Sequence, residues 1–424
     1  MVRADTILTG FEVAATLAEG SLPRRGAELG NLSLLERPAI ALSEGRIAWI
    51  GRSSGLRRQV ILRKGGTRRE FSGGTLLPGL VDAHTHLVFA GDRSGEVRRK
   101  ILGESYLDIA GSGGGLFRTV RETRKASEKA LVEEARGRLH RLLRWGTTSL
   151  EAKSGYGLSL SSELKLLRVV RELQRSTPAQ IVPTFLGAHA VPPEYEGRRE
   201  VYVNDLVRRQ IPAVAKQGIA RFCDVFCEEG FFTAEESRWI LTAGKASGLA
   251  PKIHADEFTS CGGSAVAAEV RAVSADHLLA VSPDDVGRLA RTGVVAVLLP
   301  LTPFASMSNG RSKGRELVDG GVPIALGSDL CPNSWVEGMP LVISHAVYSA
   351  HLTPAEALSA ATVNAAFAIG LPEAGRLVPG ARGDLAIFDI PGPEHLGYRL
   401  TAPAPTEVFL AGKSLSAPGG APSR

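Results

Sequence analysis

Cysteine is scarce in this sequence, and its scarcity excludes one class of protein. Only four of the 424 residues are cysteines, and no two of them have the spacing of a zinc-finger pair. Small secreted domains that depend on disulfides need a far higher cysteine density. We therefore expect Cys223, Cys227, Cys261 and Cys331 to be free thiols in a reducing compartment.

Long hydrophobic runs are also absent. No window approaches the roughly 18 uninterrupted apolar residues of a transmembrane helix. The N-terminal segment contains Arg3, Asp5, Glu12 and Glu19, so it lacks the apolar core of a secretory signal peptide. These features predict a cytoplasmic protein that has no membrane partner.

The sequence also lacks a concentrated block of one charge. Its formal net charge is +6, but the basic residues are spread out and form only short clusters, such as 57–58 and 63–64. Because no aromatic residues are interleaved with these clusters, we interpret them as solvated surface and predict no nucleic-acid partner. With 44% apolar and 22% charged residues, the composition is typical of a globular protein.

The two ends of the chain have the pattern of short strands. Residues 38–42 and 46–51 are rich in apolar residues and flank a Ser-Glu-Gly turn. Residues 384–389 and 407–412 have a similar pattern and are separated by loops rich in proline and glycine. We predict that residues 1–74 and 375–424 together form one small β-sandwich domain around a central insertion.

Between these ends, short β-rich runs alternate with amphipathic segments. The runs occupy residues 75–90, 147–152, 180–186, 222–227, 251–255, 272–275, 294–299 and 322–326. The clearest amphipathic segments are 116–145, 163–173, 234–246 and 283–290. Eight such strand–helix units predict an α/β fold, a (β/α)8 TIM-like barrel over residues 75–374. A doubly wound open sheet is the alternative.

Polar residues favour the barrel, because they follow six of the eight runs. The βα loops of a barrel all open on one face, so residues from separate units can form one site there. An open sheet does not explain why polar residues from six separate units look like the parts of a single site. These residues are His84, His86 and Arg93 after the first run, Tyr156 after the second, His189 after the third, His254 and Glu257 with the fifth, His277 after the sixth and Asp329 after the eighth.

Two histidines of the first unit predict a metal centre. His84 and His86 are two residues apart on an extended segment, so both side chains point to the same side. Neutral imidazoles suit Zn²⁺ or Fe²⁺, and His254, His277 and Asp329 offer further ligands at other strand ends. The remaining histidines, His140, His345, His351 and His395, are interpreted as structural.

Several segments resemble a known family. Residues 75–86 (TLLPGLVDAHTH) resemble the motif at which the barrel begins in the amidohydrolase superfamily. Residues 379–385 (PGARGDL) resemble the segment at which the chain of that superfamily passes from the barrel back into the small β-sandwich. More narrowly, the chain resembles the imidazolonepropionase family. That likeness rests on LVFAGDR at 87–93, EAKSGYGL at 151–158, TFLGAHAVPP at 184–193 and VSADHL at 273–278.

The resemblance implies a specific hydrolase. Its substrate would be 4-imidazolone-5-propanoate, a small molecule with a carboxylate tail, and its product N-formimidoyl-L-glutamate, in histidine degradation. It implies one divalent or trivalent ion per subunit, zinc or iron, and a possible homodimer. The implied metal ligands are His84, His86, His254 and Asp329, and the implied substrate contacts are Arg93, Tyr156, His189 and Glu257.

A mechanism follows from these assignments. An activated water attacks the ring carbonyl. Asp329 accepts or orients the proton of this water, and His277 steers or deprotonates the water and stabilises the oxyanion. Glu257 contacts the ring nitrogens and protonates the leaving nitrogen. An arginine such as Arg93 is suited to clamp the carboxylate tail by paired hydrogen bonds.

Two features of the sequence refine this picture. The fourth run ends in Cys227, Glu228 and Glu229 without the lysine that bridges two metals in many superfamily members, which favours a single ion. In the loop after Asp329, residues 331 and 333 depart from the family pattern: cysteine replaces an amide side chain and asparagine replaces a glycine. Asn333 and the retained Ser334 are the predicted substrate-binding residues of this loop.

Two other functions stay open at this point. One is another cyclic amidohydrolase or an aminohydrolase of a purine or pyrimidine ring, which would have no use for a carboxylate clamp. The other is an inactive barrel that serves as a scaffold. A scaffold would be expected to have lost a metal ligand or Glu257, and this chain has lost neither.

Overall fold

The structure, a computed structural model, describes residues 1–104, 108, 109, 112–308 and 310–415. Residues 416–424, at the end of the predicted C-terminal part of the small domain, lie outside the described residues. The strands are β1 (Val2–Thr9), β2 (Val13–Ala15), β3 (Leu34–Glu36), β4 (Pro38–Ser43), β5 (Arg46–Arg52), β6 (Val60–Glu70), β7 (Thr75–Pro78), β8 (Leu80–Asp82), β9 (Thr147–Lys153), β10 (Gln180–Ala188), β11 (Phe222–Cys227), β12 (Ala250–Ala255), β13 (Ser274–His277), β14 (Val295–Leu298), β15 (Ile324–Leu326), β16 (Leu385–Phe388), β17 (Glu407–Leu410) and β18 (Lys413–Ser414).

Helices cover the outside of the central strands and continue after β15. No helix among the described residues is both long enough and apolar enough to cross a lipid bilayer. The helical segments are Gly26–Gly30, Ser53–Gly55, Leu56–Gln59, Glu96–Ile101, Gly115–Lys125, Glu128–Arg144, Leu160–Ser176, Pro193–Tyr195, Arg199–Asp205, Leu206–Gln210, Ile211–Gln217, Ala234–Ala246, Gly263–Val270, Pro283–Thr292, Leu301–Ser306, Gly314–Asp319, Met339–Ser349, Pro354–Ala360, Val363–Ala368 and Glu394–Tyr398.

The central strands form the predicted barrel. Strands β8 to β15 are parallel and hydrogen-bonded in sequence order. Backbone hydrogen bonds then join the last strand region to the first, from Ala83 N to Leu326 O at 3.2 Å and from His86 N to Leu330 O at 2.9 Å. These bonds exclude the open sheet and confirm the barrel.

The strands from the two chain ends form two further sheets, which we call the two-sheet domain. One sheet has the order β5-β4-β1-β6, and the other has the order β18-β17-β16-β7-β2-β3. One hydrophobic cluster joins the sheets, with Leu8 and Ile40 from the first and Leu76, Leu385 and Phe409 from the second. The predicted fold class, a barrel with a small β-sandwich built from both ends, is therefore confirmed.

The predicted run 75–90 does not form one strand. Thr75–Pro78 pairs antiparallel with Leu385–Phe388 in the two-sheet domain, whereas Leu80–Asp82 is the first barrel strand. Gly79 joins them, and a Cβ there would collide with the side chain of Thr148. The chain therefore passes between two sheets at a point that admits only glycine.

The predicted amphipathic segment 116–145 divides into two helices. Gly115–Lys125 ends before Ala126, whose backbone is extended, and Glu128–Arg144 follows. The Ser127 side chain accepts a hydrogen bond from Ala130 N at 3.2 Å, which caps the second helix. The amphipathic pattern was predicted, and the break within it was not.

Candidate active site

Three buried imidazoles converge at the carboxyl end of the barrel strands. His84 and His86 follow β8, and His254 lies within β12. The Nε2 atoms of His84 and His86 are 3.3 Å apart, and one ring nitrogen from each of the three lies within 4.8 Å of the others. Asp329 Oδ1 lies 3.5 Å from His84 Nε2 and 3.6 Å from His86 Nε2. The structure thus brings together all four predicted metal ligands.

Carboxylates behind the histidines orient two of these rings. His84 Nδ1 lies 2.6 Å from Asp276 Oδ2, and His254 Nδ1 lies 3.1 Å from Asp224 Oδ2. A ring that donates its Nδ1 proton backwards presents the lone pair of Nε2 to the centre, as metal-binding histidines commonly do. Among the described residues, nothing hydrogen-bonds the buried Nε2 of His254.

The protonation of the centre suits a cation. Burial lowers the pKa of His84, His86 and His254 well below the ordinary value, so the rings are neutral at neutral pH. Burial raises the pKa of Asp329 to about 7. Three neutral imidazoles and one carboxylate form a donor set that fits a single Zn²⁺ or Fe²⁺ ion.

Glu257 and His277 form a second pair beside these donors. Glu257 Oε2 lies 3.6 Å from His277 Nε2. Burial, with a contribution from Asp329, raises the pKa of Glu257 well above its ordinary value, whereas burial lowers the pKa of His277 to about 4. The raised pKa of Glu257 favours its protonated form next to a neutral imidazole, and such a pair can donate and accept a proton.

The backbone is strained where these side chains meet. His277 has a φ of 78° and Asp329 a φ of 51°, in the left-handed region that residues other than glycine rarely adopt. Such strain persists only where the surroundings enforce it, and it concentrates at active sites.

A cavity of about 430 Å³ opens at three of the four donors, His86, His254 and Asp329. Its volume lies within the range of small-molecule pockets. Phe226, Phe231 and Phe258 supply apolar walls. The predicted site residues that line it are His86, Arg93, Tyr156, His189, His254, Glu257, His277, Asp329 and Asn333.

Arg93, Tyr156 and His189 all line this cavity. The buried Arg93 Nε donates to Glu96 Oε2 at 2.8 Å, which fixes the guanidinium. The His189 ring stacks on that of His86 at 5.1 Å and lies 5.4 Å from the Tyr156 ring. His189 Nδ1 lies 3.1 Å from Gly155 O, so a donating Nδ1 leaves Nε2 for a ligand.

The loop after Asp329 places its two predicted residues differently. Asn333 lines the cavity, and its Oδ1 accepts a hydrogen bond from Lys100 Nζ at 2.8 Å. Ser334 is fully buried and is not one of the described residues that line the cavity. Substrate contact by Ser334 stays a prediction.

The sequence analysis missed several residues of the site. Thr302 Oγ1 donates to Asp329 Oδ2 at 2.9 Å, although the seventh barrel strand had offered no candidate. Lys100 lines the cavity at Asn333. Asp224 and Asp276 lie behind the histidines, and the signal that could have revealed them is a charged residue inside a buried strand.

Comparison with known proteins supplies the family. The pattern described as "Amidohydrolase family" matches residues 112–412. The chain is 44% identical over 416 residues to "Imidazolonepropionase" of Symbiobacterium thermophilum, covering 97% of each chain. This chain belongs to the imidazolonepropionase family of amidohydrolases. It is also 42% identical to "Imidazolonepropionase" of Shouchella clausii, covering 95% of this chain and 90% of that one.

A solved structure extends the likeness of the fold beyond the family. An adenosine deaminase from Xanthomonas campestris with bound zinc superposes with a TM-score of 0.70 at 17% identity, covering 97% of this chain and 93% of that one. At this identity the match shows the shared fold alone. The family model and the curated relatives, and not this match, identify the chain as a hydrolase that acts on a carbon–nitrogen bond of a cyclic amide.

Proposed function

We propose that this chain hydrolyses 4-imidazolone-5-propanoate to N-formimidoyl-L-glutamate in histidine degradation. The observation that carries the proposal is one cavity that three of the four metal donors, His86, His254 and Asp329, line together with Glu257 and the buried Arg93. Close relatives named imidazolonepropionase support the same reaction.

We propose that His84, His86, His254 and Asp329 hold one zinc or iron ion. Such an ion supplies Lewis acidity to a bound water and to the ring carbonyl. The unpartnered Nε2 of His254 and the two carboxylates behind the rings support this assignment.

The protein groups then divide the proton transfers. Asp329, with a pKa that burial raises to about 7, accepts a proton from the attacking water while Thr302 holds its second oxygen. His277 hydrogen-bonds the carbonyl oxygen as negative charge develops there. Glu257, whose pKa burial raises well above its ordinary value, donates a proton to the leaving ring nitrogen as the carbonyl–nitrogen bond breaks.

Arg93 and Lys100 form the proposed pocket for the propanoate tail. Arg93 is buried and held by Glu96, and a planar guanidinium matches a carboxylate. Burial, and after it the charge of Arg93, lowers the pKa of Lys100. A bound carboxylate relieves this repulsion, so the two cations favour an acidic substrate. Tyr156, His189 and Asn333 supply neutral polar contacts around it.

The test is an assay of imidazolonepropionate loss with purified protein. We expect ring opening, its abolition by a chelator, and its recovery on addition of Zn²⁺ or Fe²⁺. Guanine and cytosine serve as the control substrates. Deamination of either one without ring opening of imidazolonepropionate contradicts the proposal and favours an aminohydrolase.

A homodimer and a cytoplasmic location complete the proposal; the homodimer rests on the resemblance to the family, and the location rests on the sequence features given above. Sedimentation of the purified protein tests the first, since a monomer at micromolar concentration contradicts it. Fractionation of the source cells tests the second.

A further inference from the structure

A lysine is buried beneath the metal donors. Lys153, the last residue of β9, has no exposed surface. Its Nζ lies 2.6 Å from Asp224 Oδ2, 2.9 Å from Glu151 Oε2 and 3.3 Å from Asp276 Oδ2. The three carboxylates come from three strands and are equally buried. A charge in this position is costly unless every partner is in place.

Two of these carboxylates also face the candidate metal ligands. Asp276 Oδ2 lies 2.6 Å from His84 Nδ1, and Asp224 Oδ2 lies 3.1 Å from His254 Nδ1. One ammonium group therefore touches both carboxylates, and each carboxylate touches one imidazole. The contacts form a continuous path from β9 to two metal donors, one that follows β8 and one within β12.

We propose that Lys153 is a positioning residue of the metal centre, whose ammonium group holds Asp224 and Asp276 where they orient the imidazoles of His254 and His84. The inference rests on the proposed function only in requiring that the centre binds an ion. It concerns how tightly the ion is bound, and it is independent of the substrate.

Charge balance explains why a cation is needed here. Burial lowers the pKa of Lys153, but Asp224, Glu151 and Asp276 together outweigh burial and raise it above its ordinary value, so the ammonium is charged. Without it, two buried carboxylates would repel each other across the vacated space. They would separate or take up a proton, and either response disturbs the acceptor for a histidine Nδ1 proton.

Lys252 provides a matched control within the same barrel. It is also fully buried, and its Nζ lies 2.8 Å from Glu151 Oε1 and 5.4 Å above the Phe222 ring. Among the described residues, Lys252 has no hydrogen bond or ion pair with Asp224 or Asp276. Replacing Lys252 therefore removes an equally buried lysine but leaves Asp224 and Asp276 in contact with Lys153.

The experiment compares Lys153→Met with Lys252→Met in the full chain. Affinity for Zn²⁺ and Fe²⁺ is measured by competition with a chromophoric chelator. We expect Lys153→Met to lower the affinity about 10- to 100-fold, the range for groups that support metal ligands, and Lys252→Met to lower it about threefold or less, since the histidine partners stay in place.

Two further readouts separate positioning from general damage. Excess ion should restore much of the turnover of Lys153→Met, because the ligands themselves are intact. The rise in melting temperature on adding Zn²⁺ should shrink in Lys153→Met and persist in Lys252→Met. Equal losses of affinity in both variants, or no loss in Lys153→Met, overturn the inference.

A second pair of variants covers the case in which Lys153→Met does not fold. Asp224→Asn and Asp276→Asn keep Lys153 and weaken one orienting contact each, so each should lower metal affinity about tenfold. Wild-type affinity in both overturns the inference. A wild-type protein that takes up no ion contradicts the proposed function instead, so the two failures are distinguishable.

Discussion

The mouth of the barrel and the two-sheet domain bury different kinds of side chain. Where the sheets meet, the domain buries aliphatic and aromatic side chains such as Leu8, Ile40 and Phe409. The barrel mouth, the carboxyl end of strands β8 to β15, instead buries titratable groups such as His84 and Asp329. The first kind of burial stabilises a fold, and the second opposes it unless partners compensate.

This contrast teaches that stability and chemistry depend on different residues. Burying one large apolar side chain contributes about 1.5–3 kcal/mol. A buried ion pair often contributes nothing net relative to a hydrophobic replacement. Substitutions at the mouth that leave no buried charge unpaired should therefore reduce activity far more than stability, and substitutions between the sheets should do the reverse. The following predictions test that separation.

The largest effect on activity is expected from Glu257→Gln. The amide cannot donate an acidic proton to the leaving nitrogen, so turnover should fall about 10²- to 10⁴-fold. Metal content should be unchanged because Glu257 is not one of the four donors. The free energy of unfolding should not fall, since the substitution removes a buried carboxyl group that is costly to bury. Steady-state kinetics and metal analysis check both points.

The control for that variant is Glu229→Gln, which changes an exposed acid just after the preceding strand, β11. We expect wild-type turnover from it. Near-normal turnover in Glu257→Gln would remove Glu257 from the mechanism.

The next effect is expected from Arg93→Lys. Lysine keeps the charge but loses the planar pair of donors, so the Michaelis constant for imidazolonepropionate should rise about 10- to 100-fold through loss of a charged hydrogen bond. A substrate analogue without the carboxylate should be processed equally by variant and wild type. An equal loss with both compounds would indicate a role outside tail recognition.

A smaller effect is expected from Lys100→Met. Lys100 is half-buried and shares its ammonium with Ala305 O and Asn333 Oδ1, so the Michaelis constant should rise about 3- to 10-fold, as for a partly screened charge. The rise should diminish at high salt. Lys129→Met, on an exposed outer helix, is the control, and an equal rise there would contradict a local role.

The separation between regions also explains what the sequence could predict. Strand ends and histidine spacing are local patterns, so the barrel, the two-sheet domain and the convergence of His84, His86, His254 and Asp329 were predictable. The split of 75–90 between two sheets was not, because both halves are equally apolar and only the collision at Gly79 marks the crossing.

The support behind the metal donors was unpredictable for a different reason. Asp224 and Lys252 lie within runs that were interpreted only as buried strands, and their partners are on other strands. Register between parallel strands decides which charges meet, and strands that are buried on both faces carry no alternating pattern from which that register can be predicted. Thr302 was missed similarly, since a hydroxyl acquires its role only from closeness to Asp329.

The smallest effect on activity is expected from Ile40→Ala, in the two-sheet domain. Ile40 is fully buried in β4 between Leu8 and Ile50 of the flanking strands, so its truncation should lower the free energy of unfolding by about 2–5 kcal/mol. The described residues that line the cavity all lie outside this domain. Turnover should therefore stay within about twofold, as for independent remote sites.

Denaturant unfolding and steady-state kinetics on the same preparations measure both quantities. Ile61→Ala, which truncates a 48% exposed side chain of the same domain, should change neither. If turnover of Ile40→Ala falls in proportion to stability, the two-sheet domain positions the barrel mouth. The two regions would then differ in composition but not in function. The connection that could transmit such an effect is β7, which continues through Gly79 into β8, the strand that precedes His84.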